Sequence, residues 1–213
     1  SGALAVDARI GVDNAAPSMR RYNHLAILPY PSQHEQVWPM AGGGEYTVRP
    51  VRPDDATMLQ TFVRSLSPES RYFRFVSSMQ ELPATMLSRF TLIDYDREMA
   101  LVALQTVSVA GADGELHDET RIIGVSRYIT NPDRTTCEFS LVVSDDFKGR
   151  GLGSRLMLSI MDFAREKGLN EIEGLVLANN PNMLKLMKSL GFVIKPFPED
   201  PDFKLVTHQL QVL

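Results

Sequence analysis

The 213-residue chain holds a single cysteine, Cys137, one tryptophan and four histidines. One thiol excludes an internal disulfide and a cysteine-rich metal site, and it suits a reducing, cytoplasmic setting. The histidines are scattered, with no H-x-x-x-H spacing to put two imidazoles on one helix face, so no metal site is expected. Long apolar runs are missing as well. None approaches the roughly 20 residues that span a bilayer, and the N-terminal SGALAV lacks the charged-then-apolar pattern of a signal peptide. Nor is there an excess of positive charge: 22 Lys and Arg stand against 26 Asp and Glu, a net charge of −4. That argues against a global nucleic-acid or anionic-membrane binder, because both rely on summed cationic charge. What is present, 44% hydrophobic and 23% charged residues, fits a globular protein with room for one domain and an extension.

Residues 1–44 differ from the rest. LAVDARI reads as a short strand, but Pro29, Pro31, Pro39 and the run Gly42, Gly43, Gly44 deny regular structure, which makes 1–44 an extension or linker and 45–213 the domain. In the domain, YTVRPV alternates like a strand, and PDDATMLQTFVRSL is an amphipathic helix with Asp54 and Asp55 as cap candidates. SPESRYFRF, capped by Ser67 with Pro68 at its first position, and PATMLSRFTLID read as two more helices. MALVALQTVSV, TRIIGVSRYIT and TCEFSLVVS are strand-like and separated by the turns AGADGELHDE and NPDR, which predicts an antiparallel meander. Leu152, Leu156, Ile160 and Phe163 then fall at helical spacing up to Gly168. EIEGLVLA is a strand, PNMLKLMKSL a helix ending at Gly191, and FVIK and KLVTHQLQV are closing strands; the layout is mixed α/β.

Between the third meander strand and the next helix lies DDFKGRGLGSRL, Asp145 to Leu156. A helix N-terminus offers unpaired N–H groups and the positive end of its dipole, and glycines let an anion such as phosphate come close. The P-loop is excluded, since Ser154 and Arg155 follow Gly153 where it needs Lys and Ser or Thr. The dinucleotide fingerprint is excluded too: started at Gly149 or Gly151, its third glycine falls on Ser154 or Leu156. A tight turn without a ligand uses the same glycines and stays open as an alternative.

In TCEFSLVVS, alternation puts Glu138, Ser140 and Val142 on one face and Cys137, Phe139 and Leu141 on the other. A charge inside an apolar strand is costly to bury without a partner or a wet cleft, so Glu138 stands out as a functional candidate, with a surface ion pair as the alternative. Cys137 points away from Glu138 and has no adjacent histidine, so it reads as a structural cysteine and not a nucleophile.

KGRGLG at 148–153 resembles the pyrophosphate loop of the GNAT superfamily of N-acetyltransferases, with Lys148 where that loop usually has Arg or Gln. LANNPNMLKLMKSLGF resembles the same superfamily's strand, asparagine, helix and Leu-Gly-Phe ending. SRYFRF, IDYDREMALVA and CEFSLVVSDDFKGRGLG together resemble the Pat-type bacterial protein lysine acetyltransferases. The resemblance implies a mixed central sheet of about six to seven strands, splayed at a cofactor cleft and flanked by about four helices. It implies acetyl-CoA as acyl donor, its pantetheine arm along the backbone of Leu141, Val142 and Val143. The pyrophosphate is then held by Lys148, Gly149, Arg150, Gly151, Leu152, Gly153 and Ser154, mainly through the glycine backbone. Asn180 matches an asparagine that either meets the cofactor arm or caps the last helix. Glu138 matches the position of the Pat-type general base, whereas Met187 stands where many GNAT enzymes carry a tyrosine that protonates the leaving thiolate. Arg71, Arg74, Asp94 and Asp96 are candidates for an acceptor groove, or plain solvated charges.

The same resemblance implies an acceptor protein, such as an AMP-forming acyl-CoA synthetase, and makes residues 1–44 the tail of a possible upstream domain resembling ADP-forming acyl-CoA synthetases. Two other readings remain: acetylation of a small amine, and a non-catalytic acyl-CoA sensor. A base matters for catalysis because a lysine amine, with a reference pKa of about 10.4, is neutral only about once in 2,500 at pH 7, a handicap of roughly 4.6 kcal/mol.

Overall fold

The computed structural model describes residues 28–41, 43–110 and 115–210. The LAVDARI strand and the start of the following linker lie outside them. Eight strands form one sheet: β1 (Gln36–Pro39), β2 (Glu45–Pro50), β3 (Glu98–Ala110), β4 (Leu116–Thr130), β5 (Thr136–Val143), β6 (Glu171–Leu177), β7 (Val193–Pro196) and β8 (Phe203–Gln209). Their spatial order is β1-β2-β3-β4-β5-β6-β8-β7. The helices are α1 (Ala56–Ser65), α2 (Pro68–Phe75), α3 (Ala84–Thr91), α4 (Leu152–Glu166) and α5 (Pro181–Ser189). The meander is β3, β4 and β5, paired antiparallel as the turn residues predict. The single parallel pairing among the described strands joins β5 to β6 across α4.

Two cores follow from strand alternation. On β3, Leu101 and Ala103 face a cluster with Leu156, Met157, Ile160 and Met161 of α4, whereas Ala100, Val102 and Leu104 face Leu59, Phe62 and Val63 of α1. Gly124 on β4 lets α4 approach closely, because a Cβ there would sit 2.9 Å from Leu156 Cδ1.

Three local expectations change. The Pro-rich stretch is not irregular throughout: β1 pairs with β2 from Gln36↔Val48 to Pro39↔Glu45. It is an edge strand, where a residue without an N–H is tolerated, and Trp38 holds it through an edge-on contact with Tyr46 at 6.0 Å. This added strand brings the sheet to eight. Second, the expected turn AGADGELHDE is shorter, since Leu116 to Glu119 extend β4 opposite Val107 to Ala110. Their polarity reflects a ribbon that projects past its neighbours and is exposed, tied by Ser108–Asp118 and Thr106–Thr120 hydrogen bonds. Third, Asp55 does not cap α1 with its side chain. It is buried in a bidentate pair with Arg49 (2.8 and 2.6 Å) and accepts from the Arg52 N–H at 2.7 Å.

Candidate active site

The site begins where β5 and β6 stop pairing. Their register covers Thr136↔Glu171, Cys137↔Ile172 and Glu138↔Glu173, while β5 continues to Val143 and β6 to Leu177. At the next step the Phe139 ring occupies the space a side chain at residue 174 would need: a Cβ on Gly174 would lie 2.7 Å from Phe139 Cε1. Phe139 is buried and packs edge-on against Phe192, with centroids 5.5 Å apart. The result is an open β5 edge beyond Glu138, whose backbone N–H and C=O groups face a cleft in place of a neighbouring strand.

That cleft, about 700 Å³, is lined by Leu141, Val142 and Val143 on one side and by Met183, Leu186 and Asn180 on the α5 side. Its end is formed by Lys148, Gly149, Gly151, Gly153 and Ser154. Gly149 and Gly151 have φ of +75° and +84°, a left-handed backbone that disfavours any Cβ. No side chain caps α4, whose first residue follows Gly151, and its first turn, with Gly153 and Ser154, lies at the cleft end. Added Cβ atoms at Gly149 and Gly151 would meet nothing within 4 Å, whereas one at Gly153 would touch Leu186, Leu141 and Val143. An extended edge leading to a ring of exposed amides fits acetyl-CoA, with its amide-bearing arm and its pyrophosphate.

The loop's side chains serve the fold more than the cleft. The Lys148 ammonium is 2.6 Å from both Ser70 Oγ and Asp145 Oδ1, and Asp145 also accepts from the Ser67 N–H and hydroxyl and from the Ser70 hydroxyl. Burial opposes ionisation of Asp145, but these hydrogen bonds, led by Lys148, hold its carboxyl well below the usual range. The network fastens α2 to the glycine loop. The Arg150 guanidinium stacks over Phe147 at 5.4 Å, and the Leu152 side chain is buried in the core. Asn180 is buried and its Oδ1 accepts from the Met183 N–H at 3.1 Å, so the capping role holds and only the amide NH₂ is left for the cleft. Met187 is fully buried and away from the cleft.

A second cleft, about 460 Å³, shares Arg74 with the first and is lined also by Met86, Arg89, Phe90, Arg127, Ile129, Glu138 and Ser140. The β5 alternation holds: Cys137, Phe139 and Leu141 are buried, and Glu138 is exposed on the opposite face. Burial, with Glu173 adding to it, pushes the Cys137 thiol up to about 12, as an inert structural cysteine requires. Arg74 lines both clefts and donates to Ser140 Oγ at 3.0 Å. Burial first, and the like charge of Arg127 second, push its guanidinium down to about 10, with Glu138 pulling the other way.

Of the four charged residues considered for an acceptor groove, only Arg74 lines this cleft. Arg71 donates to the carbonyls of Arg64 and Leu66 at the end of α1, Asp94 shapes the turn before β3, and Asp96 pairs with Lys167 at 2.6 Å. Residues the sequence did not single out are Arg89 and Arg127 in this cleft, and Ser70, Phe73 and Lys185 in the other. Neither Arg89, within α3, nor Arg127, within β4, sits at a spacing that marks it in the sequence; the cross-strand register and α3 bring them in. Among the described residues no group of three His, Cys, Asp or Glu could hold a metal ion, and no helix is long and apolar enough to cross a membrane.

Comparison with known proteins agrees with this fold. A family profile described as the Acetyltransferase (GNAT) family matches residues 72–192. The chain is 34% identical to Acetyltransferase PA5475 of Pseudomonas aeruginosa over 158 residues, 74% of this chain and 80% of that protein. It is 28% identical to Acetyltransferase Pat of Mycolicibacterium smegmatis over 167 residues, 78% of this chain but 45% of that protein. Among solved structures, the GNAT domain of S. lividans PAT superposes with a TM-score of 0.73 at 27% identity, covering 85% of this chain and all of that one. YncA from Salmonella typhimurium, solved with its cofactor acetyl-CoA, shares the fold with a TM-score of 0.56 at 18% identity, covering 79% of this chain and 95% of that one. The profile spans more than half of the chain, and the chain therefore belongs to the GNAT acetyltransferase family, N-acetyltransferases that take their acyl group from acetyl-CoA.

Proposed function

We propose that this protein transfers the acetyl group of acetyl-CoA to the ε-amine of a lysine on an acceptor protein, with Glu138 as general base. The observation that carries this reading is the division of one strand between two clefts: Glu138 and Ser140 line one, Leu141 to Val143 line the other, and Arg74 lines both. Acetyl-CoA, when bound, supplies a thioester carbonyl as electrophile and a thiol as leaving group. The open β5 edge at Leu141, Val142 and Val143 pairs with the cofactor's amide-bearing arm. The backbone of Gly149, Gly151 and Gly153, with Ser154, holds the anionic end, and the Asn180 amide donates to the arm. Glu138 takes a proton from the acceptor nitrogen as its bond to the carbonyl carbon forms and the carbon–sulfur bond breaks. Met187 carries no acidic proton and is buried, so it cannot protonate the leaving sulfur, and we assign that proton to solvent. Positioned bases contribute about 10² to 10⁴ in rate, enough to offset part of the cost of an ammonium acceptor.

A lysine acceptor is supported by the likeness to the two Pat proteins and by the lining of the second cleft. Three arginines against one glutamate repel a polycationic amine, so an aminoglycoside or polyamine is disfavoured. Acyl-CoA synthetases of the AMP-forming class are the acceptors we propose, in the cytoplasm, with an upstream acyl-CoA synthetase-like domain in the full-length protein. Labelled acetyl-CoA incubated with such synthetases and with small amines tests this directly. Glu138→Gln should keep acetyl-CoA affinity and lower turnover about 10²-fold or more at neutral pH. An unchanged rate removes Glu138 as the base, and label found only on small amines removes the lysine reading.

A further inference from the structure

The second cleft gathers three arginines, Arg74, Arg89 and Arg127, against one glutamate in its lining, Glu138. Arg127 is the cross-strand partner of Ser140 and Ile129 that of Glu138, so Arg127, Ile129, Glu138 and Ser140 share one face of the β4–β5 pair. Arg74 reaches this face from α2 through its bond to Ser140, and Arg89 reaches it from α3. The Phe90 ring fixes two of the guanidiniums, Arg127 at 4.7 Å and Arg74 at 5.8 Å from its centroid.

Arg127 is the telling residue. Its side chain is 7% exposed; Nη2 donates to the Phe90 carbonyl, and Nη1 is buried with no hydrogen-bond partner. Glu98 forms an ion pair with Nη1 at 3.7 Å, which offsets part of the charge but lies beyond hydrogen-bond reach, so the N–H itself stays without an acceptor. A buried guanidinium N–H left unmet costs its desolvation, and a charged group costs more than a neutral one. Three arginines drawn together against Glu138 add a Coulomb cost that an anion in the cleft offsets.

We propose that Arg127, with Arg74 and Arg89, forms a carboxylate-binding subsite beside Glu138, which selects an acceptor lysine neighboured by an acidic residue. This inference rests on the lysine reading above. Diagonal positions on neighbouring strands lie roughly 7–8 Å apart, and Arg127 is diagonal to Glu138. That separation suits an ε-amine and the carboxylate of an adjacent side chain. It suits less well the amine and carboxylate of a free α-amino acid, which share one carbon.

The test compares two lysine peptides that differ only in the residue after the lysine, Glu or Gln, in kcat/KM with acetyl-CoA. A bidentate or paired charge-assisted contact predicts a preference for the Glu peptide of about tenfold or more, falling toward 1 in Arg127→Gln and partly in Arg89→Gln. Arg89 is exposed, so that variant stays informative even where Arg127→Gln fails to fold. A second readout needs no turnover: glutarate should raise the melting temperature of the cofactor-free protein, while neutral glutaramide should not. Equal rates on the two peptides together with no effect of glutarate overturn the subsite and leave lysine acetylation standing. Acetylation of free α-amino acids alone, with lysine peptides untouched, overturns the lysine reading and this inference with it. If no peptide is modified, absence of a glutarate effect overturns the subsite by itself.

Discussion

Gly174→Ala tests whether the parting of β5 from β6 is set by one aromatic ring. A Cβ at residue 174 would stand 2.7, 3.0 and 3.1 Å from three carbons of the Phe139 ring, the first closer than real Cβ contacts show and the other two tight. The ring has nowhere easy to go, because Phe139 is buried and already packed against Phe192. One methyl forced into such a core costs about 1–3 kcal/mol. For a chain of this size that lowers the melting temperature by roughly 2–12 °C. Phe139→Leu in the same molecule removes the clashing ring atoms, so the double variant should lose less than the two single changes summed, a coupling that a double-mutant cycle reads directly. Calorimetric titration with acetyl-CoA supplies the functional half: the strand edge at Leu141 to Val143 follows Phe139 directly, so Gly174→Ala should also weaken cofactor binding. Wild-type stability and affinity in Gly174→Ala, or strict additivity in the cycle, would refute the idea that this contact holds the cleft open.

Gly151→Ala forces a side chain onto a backbone with φ of +84° and should cost about 1–2 kcal/mol of stability; since its Cβ projects into open cleft, acetyl-CoA affinity should fall as well, and normal affinity by calorimetry would exclude the loop as the pyrophosphate site. Asp145→Asn removes the carboxylate joining Lys148, Ser67 and Ser70 and should destabilise by about 1–2 kcal/mol, a figure discounted for partial exposure. Because the folded state holds this carboxyl below its unfolded pKa of about 3.9, its contribution is present above that value and disappears as pH falls through the folded value. The gap in melting temperature between wild type and Asp145→Asn should therefore hold above about pH 4.5 and begin to narrow as pH falls below about 4; a gap that stays constant down to about pH 2 would mean that the carboxylate's charge is not what stabilises. Cys137, with its thiol raised to about 12, should resist Ellman's reagent at pH 8 until denaturant is added, and rapid labelling of the native protein would contradict its placement in the core.

Much of the fold was legible because its signals are local. The period-2 runs of β3 to β5, the Ser67 cap with Pro68, and the helix ending near Gly168 each arise from a few neighbouring residues. The misreadings share a different cause. Gln36–Pro39 reads as linker by its prolines and becomes a strand through β2 and Trp38. Leu116–Glu119 reads as a turn by its polarity and becomes a ribbon through cross-strand pairing. Asp55 reads as a cap, but Arg49, six residues earlier, claims its carboxylate.

The site divides in the same way. The glycine spacing at 149–153, the charge at Glu138 and the apolar alternation around it are properties of short peptides, and they carried the donor loop, the base candidate and the family. Where two strands part, and which charges meet there, depends on residues far apart in the chain. Phe139 must find Gly174, and Arg127 must be carried by β4 to the side of Ser140 while α2 and α3 deliver Arg74 and Arg89. Such meetings are fixed by packing and register, which act between elements, and so the open strand edge and the arginine-lined second cleft exist only in the folded chain.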